Sequence, residues 1–304
     1  MGKLRNLISI HDLDRGKIDQ ILDDATKMEA VAVKRSTALA GKIMATLFFE
    51  ASTRTRLSFE SAMLRLGGEV LGFSDVITTS AGGKGETLAD TIRTIEQYAD
   101  VIVIRHPLDG SARVAAEFSK IPVLNAGSGS EEHPTQALLD LYSIKKFKGK
   151  IDGLTISLSG DLKYGRTAHS LGLALSHYDV KIKLAAPKSL RMKPVIIEDM
   201  KKAGVQVVEV DTVAEAVTDV DVVYMTRIQK ERFHDIREYD AVKGDFQLTM
   251  DEVALMKDDA IILHPLPRVD EIASEVDNTP QAKYFEQMYS GVITRMAILH
   301  QILG

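Results

Sequence analysis

Hydroxyl residues and arginines crowd one short stretch, Phe48-Phe49-Glu50-Ala51-Ser52-Thr53-Arg54-Thr55-Arg56, where an apolar run gives way to a helix start. Free backbone N–H groups, the positive end of a helix and a nearby guanidinium together make an anion site. The same residues equally suit an ordinary Ser/Thr cap followed by solvated arginines. Arginines two apart point in different directions on a helix, so only one of Arg54 and Arg56 is expected to face a ligand. Four further segments hold comparable chemistry. Arg105 ends the apolar run 101–104. His133 closes a loop rich in Gly and Ser, directly before Pro134 and close to Gln136; it reads as a hydrogen-bond donor to a ligand or as plain polar surface.

In the second half, Gly160-Asp161-Leu162-Lys163-Tyr164-Gly165-Arg166-Thr167 has the spacing of a nucleotide phosphate loop, but arginine replaces the lysine. Its planar fork suits a carboxylate better than that tight cradle. The last segment joins two strand ends, at the first of which Arg227 and Gln229 follow the run 222–225. Pro265 and Leu266 belong to His264-Pro265-Leu266-Pro267-Arg268, whose prolines fix the backbone, expose carbonyls and suit a cis peptide. Each segment alone also reads as a cap, a turn or solvated charge. Together they equip a protein to hold a small, multiply anionic substrate pair.

The elements that must position these residues follow from periodicity. Short β-rich runs recur at 42–49, 69–73, 101–105 and 122–124, then at 154–158, 181–185, 206–210, 222–225 and 260–263, each followed by a longer amphipathic or polar stretch. The alternation predicts an α/β protein of two domains, each a parallel sheet flanked by helices. Ligands of such sheets bind outside the carboxyl ends of the strands, where all five segments fall. The basic stretch 140–152 reads as a helix running out into a connection, and 282–303 as one or two helices broken at Gly291.

Length agrees with two domains: 304 residues exceed what one core usually organises. A formal charge of -5 argues against nucleic acid as the main partner. The absence of cysteine excludes disulfides, thiolate metal sites and a cysteine nucleophile. No signal-peptide pattern opens the sequence, and nothing approaches the roughly 18 apolar residues of a membrane span, so a cytoplasmic protein is expected.

Over nearly its whole length the sequence resembles the aspartate and ornithine carbamoyltransferases, with Ser52-Thr53-Arg54-Thr55-Arg56 matching the family's carbamoyl phosphate signature. The resemblance implies that Ser52, Thr53, Arg54 and Thr55 hold the phosphate. It also implies that Arg105 touches phosphate and carbonyl, and that His133 and Gln136 face the carbamoyl group. Ser80 and Lys84 match loop residues that reach a neighbouring subunit's site, which implies a homotrimer with shared active sites. Arg166, Arg227 and Gln229 match the aspartate-binding positions, and the backbone of Pro265 and Leu266 the carbamoyl contact. Glu50, Arg232 and Glu238 resemble the family's interdomain ion-pair residues. Missing cysteine beside the proline motif, and two arginines in the second half, favour aspartate over ornithine as acceptor. The implied partners are carbamoyl phosphate and L-aspartate, with no cofactor or metal in the chain itself, no nucleic acid and no membrane. The implied domains are 1–133, joined by a C-terminal helix at about 285–304, and 134–284. The stretch 109–118 resembles the face that meets a zinc-binding regulatory chain in some members, and any such zinc would belong to that partner.

Overall fold

Every run expected to be a strand forms one. The structure is a computed structural model describing residues 4–34, 36–75, 79–228, 237, 239 and 246–304; Gln229, Arg232 and Glu238 lie outside the described residues. In the first half, α1 (Arg15–Lys34) precedes β1 (Ile43–Phe48), α2 (Thr53–Arg65), β2 (Glu69–Phe73), α3 (Ser80–Gly83), α4 (Leu88–Ile95), β3 (Val101–His106), α5 (Ser111–Phe118), β4 (Val123–Ser128) and α6 (Pro134–Lys148). Then follow β5 (Thr155–Ser159), α7 (Arg166–Leu175), β6 (Lys181–Ala185), α8 (Pro194–Lys202), β7 (Gln206–Val210), α9 (Val213–Val217) and β8 (Val222–Met225). Last come α10 (Met250–Val253), β9 (Ile261–Leu263) and α11 (Glu286–Leu303).

The strands form two all-parallel sheets, ordered β2-β1-β3-β4 and β7-β6-β5-β8-β9. Helices on both faces explain why the central strands are apolar at nearly every position rather than at alternate ones. All of β8 is buried, as are Met44 to Phe48 of β1 and Val101 to Ile104 of β3. Two compact units result. One comprises Met1–Tyr142 with Met288–Gly304, the other Ser143–Gln287.

Two elements differ from expectation. Strand β4 continues to Ser128 although Asn125-Ala126-Gly127-Ser128 has turn composition; the Asn125 side chain accepts from the Gly127 N–H and donates to the Ile8 carbonyl, which holds the stretch extended. Helix α11 is unbroken at Gly291. A Cβ there would lie 2.7 Å from an Arg295 nitrogen and 3.2 Å from Leu139, so glycine serves close packing, not termination. Among the described residues, no helix is long and apolar enough to cross a membrane.

Candidate active site

Strand order locates the chemistry. In the first sheet the winding reverses between β1 and β3, in the second between β5 and β8, and ligands of open α/β sheets bind at such reversals. In the first unit Phe48 pairs with Arg105 across the reversal, and the Phe49 N–H donates to the Arg105 carbonyl at 2.8 Å. The segment leaving β1 is thereby laid beside the end of β3.

Ser52 occupies the cap position of α2 with extended dihedrals, yet its hydroxyl makes no capping bond. The expected reading as an ordinary side-chain cap therefore fails, and this helix start keeps its orphan N–H groups for a ligand. Thr53 and Arg54 are exposed and Thr55 is buried. Arg56 is held by Glu60 on the next turn, its Nε donating at 2.7 Å. Across from Thr55 stands His133, 2% exposed, with Nε2 3.4 Å from the Thr55 hydroxyl and Nδ1 3.5 Å from that of Thr135. Gln136 donates its side-chain N–H to Asp140 at 2.9 Å. Arg105 is mostly buried and donates to Glu50 and to the Ala126 carbonyl. Glu50 thus sits within the first unit's own site. The structure brings Ser52, Thr53, Arg54, Thr55, Arg105, His133 and Gln136 onto the carboxyl ends of β1, β3 and β4. Such a place can bind a phosphate, and it offers donors to an adjacent carbonyl.

Behind His133, the Glu132 carboxylate is buried, accepting from the Ser9 hydroxyl at 2.5 Å and the Ile10 N–H at 2.8 Å. Burial pushes its pKa above the ordinary carboxylate range, against those two hydrogen bonds. Ser80, the first residue of α3, and Lys84, just past its end, are both exposed, and the Ser80 carbonyl accepts from the Lys84 and Glu86 amides.

The second unit repeats the strap. Thr226, directly after β8, donates its N–H (2.8 Å) and its hydroxyl (3.0 Å) to the Ser159 carbonyl at the end of β5. Gly160 has φ +114°, and a Cβ there would meet the Thr226 carbonyl at 2.1 Å, so only glycine lets the two strand ends close. Arg166, the first residue of α7, and Arg227, next to Thr226, are placed at this reversal, both half-buried. Asp161 Oδ1 accepts from the Lys163 and Tyr164 amides and shapes the loop leading to Arg166.

After β9 the chain turns through Pro265 and Leu266, with Leu266 at φ +53° and the Leu266–Pro267 bond cis. Buried His264 organises this turn: Nδ1 accepts from the Leu266 N–H at 2.8 Å, so the neutral ring donates from Nε2 to Glu271 at 2.7 Å. Burial works to raise the Glu271 pKa. The His264 bond and the Val269 N–H outweigh it and hold that carboxyl below its ordinary value. Sequence reasoning missed Thr135, Asp140, Glu271 and Arg295. The one signal available was an arginine inside the apolar helix 293–302.

Comparison with known proteins places this geometry in a family. Residues 5–146 match the model of the aspartate/ornithine carbamoyltransferase carbamoyl-P binding domain, and 152–302 that of the Asp/Orn binding domain. An aspartate carbamoyltransferase catalytic subunit of Thermococcus kodakarensis is 55% identical over 99% of this chain and 98% of its own. Among solved structures, the catalytic subunit of M. jannaschii aspartate transcarbamoylase matches with TM-score 0.91 at 50% identity, covering 99% of this chain and 98% of that one. The Trypanosoma cruzi aspartate transcarbamoylase in complex with carbamoyl phosphate and aspartate matches with TM-score 0.93 at 40% identity, over 99% and 96%. With both halves matched and over half of its residues identical to those of a relative, the chain belongs to the aspartate/ornithine carbamoyltransferase family.

Proposed function

We propose that this chain transfers the carbamoyl group of carbamoyl phosphate to L-aspartate, giving N-carbamoyl-L-aspartate and phosphate, an early step of pyrimidine synthesis. The observation that carries the reading is the clustering of Thr55, Arg105 and His133 around the start of α2 at the β1/β3 reversal. A relative of the same fold solved with both substrates supports it.

In this mechanism the first unit binds carbamoyl phosphate. The amides at 52–55 and Arg54 hold the phosphate, and Arg105, Thr55 and His133 donate to the carbonyl oxygen. In the second unit, Arg166, Arg227 and Gln229 grip the acceptor's carboxylates, and the Pro265 and Leu266 carbonyls share the carbamoyl N–H groups with Gln136 Oε1. The amine attacks the carbonyl carbon, the C–O bond to phosphate breaks, and the amine's proton leaves with the phosphate. The donor is already activated, so positioning and charge stabilisation suffice, without a covalent intermediate. One guanidinium about 4 Å from one negative charge supplies roughly 4 kcal/mol at an effective dielectric near 20, before desolvation. We further assign a cytoplasmic homotrimer in which Ser80 and Lys84 complete a neighbouring subunit's site, with α5 as the face for a regulatory chain.

The test is phosphate release from carbamoyl phosphate by the purified chain, with L-aspartate or L-ornithine as acceptor. Aspartate-dependent release is expected. Release with ornithine alone would move the chain to the other branch of the family, and binding without release would make it a metabolite sensor.

A further inference from the structure

Beneath the first unit's site lies a charge the proposed mechanism does not use. Arg295 on α11 is 2% exposed, and among the described residues no carboxylate is in ion-pair contact with it. Its terminal nitrogens donate to the Thr135 hydroxyl at 3.4 Å and the Gly291 carbonyl at 3.3 Å, and its guanidinium stacks 4.8 Å from the centre of the Phe59 ring on α2. Its Nε finds no partner. Burial pushes its pKa down to about 9, with Asp140 pulling it up and Arg105 pushing it down, so the group remains charged at neutral pH. A buried cation without a contacting counter-charge is costly, and an apolar side chain would pack this helix more stably. The location supplies a reason to keep it.

Hydrogen-bond polarity carries the argument. Arginine only donates, so the Thr135 oxygen accepts from Arg295; the hydroxyl, on a fully buried residue, still has one proton to place, and the acceptor it faces is His133 Nδ1, 3.5 Å away. An Nδ1 that accepts leaves the proton on Nε2, the nitrogen beside Thr55. Asp140, fully buried, is the opposite charge that acts on Arg295, and its Oδ1 faces Gln136. That oxygen takes the side-chain N–H of Gln136 at 2.9 Å, so the Oε1 at the other end of the amide remains an acceptor. A carbonyl facing a donor and an N–H facing an acceptor are the two edges of an amide.

We propose that Arg295 is a positioning residue that, through Thr135 and Asp140, fixes His133 as a donor and Gln136 as an acceptor, so that the site selects an acyl phosphate bearing an amide over one bearing a methyl group. The inference rests on the carbamoyl-transfer reading above. Arg295 touches no substrate; it acts through its neighbours.

Two readouts test it on Thr135→Val, Asp140→Asn, Arg295→Met and His133→Ala. One is the carbonyl stretching frequency of a bound carbon-13-labelled donor analogue in which methylene replaces the bridging oxygen. The other is the preference for carbamoyl over acetyl phosphate in kcat/KM. Loss of a donor to a developing oxyanion costs about 10²–10³ in turnover, so T135V, which frees the tautomer and takes one acceptor from Arg295 while leaving the His133 ring in place, should lose about tenfold in kcat at little-changed donor KM. The carbonyl of T135V should be less polarised, as in H133A. D140N, which lets the Gln136 amide turn over, should narrow the preference about tenfold. If T135V and R295M keep wild-type frequency and preference while H133A changes both, the relay is wrong and the transfer reading stands. If H133A too is unchanged, the role of His133 fails and the relay with it. Should R295M not fold, T135V and D140N decide alone.

Discussion

Arg105 reaches the same oxygen of Glu50 twice, through Nε at 3.1 Å and a terminal nitrogen at 2.5 Å. A carboxylate thus occupies the fork that the proposed mechanism needs for an oxyanion. Binding of the donor must displace Glu50 or share the guanidinium with it.

Replacing Glu50 by Gln removes the competing charge at nearly constant shape. A like charge about 4 Å away in a watery setting opposes an anion by roughly 1 kcal/mol, or about fivefold in affinity. Inorganic phosphate should bind Glu50→Gln more tightly by about that factor in calorimetry. Equal or weaker binding would mean that Glu50 positions Arg105 more than it competes for it.

Arg227 tests the acceptor half. Removing a charged hydrogen-bond donor from a carboxylate costs about 1.5–3 kcal/mol, so Arg227→Ala should raise KM for L-aspartate about 10- to 100-fold and leave donor affinity unchanged. Steady-state kinetics in each substrate decides the matter.

Glu132 should make stability depend on pH. Its pKa is raised in the folded state, so folding favours the protonated form; that stability is present below the unfolded value of about 4.3 and is lost as pH rises through the folded one. Glu132→Gln lacks this loss. Its melting temperature relative to wild type should therefore improve between pH 4 and pH 7, and a gap independent of pH would contradict the assignment.

The His264–Glu271 pair makes a structural prediction. Glu271→Ala strands a buried ring N–H and frees the Val269 and Asp270 amides, which Glu271 Oε2 accepts at 3.0 and 3.2 Å. A cost of about 2–4 kcal/mol is expected, lowering the melting temperature by several degrees. Asp161 and Thr226 hold the Arg166 and Arg227 segments separately, so any loss of carbamoyl contact should appear in kcat more than in KM for aspartate.

The legible part of this protein was its scaffold. Runs such as Val101-Ile102-Val103-Ile104 declare buried parallel strands by composition, and once strand order is known the residues just after them fall at the reversals. His133 and Arg105 could be named because each ends or follows such a run. What was not legible is how they are held. Thr135 and Arg295 are 160 positions apart in the chain, and no periodicity encodes a bond of that span. Gly291 misled for the same reason, because its packing partners, Leu139 and Arg295, come from folded proximity. Strand β4 was read short because its turn-like residues are kept extended by Asn125, a side chain acting on its own backbone.

The division of the chain sets an order of assembly. Ser143–Gln287 is contiguous, so this unit can fold as soon as it leaves the ribosome, whereas the first unit takes Met288–Gly304 from far along the chain. Its nascent form waits, with the face that α11 covers still wet and His133 without Arg295 behind it, until translation has passed through the second unit. Synthesis itself thereby delays the completed site until the second unit has been made.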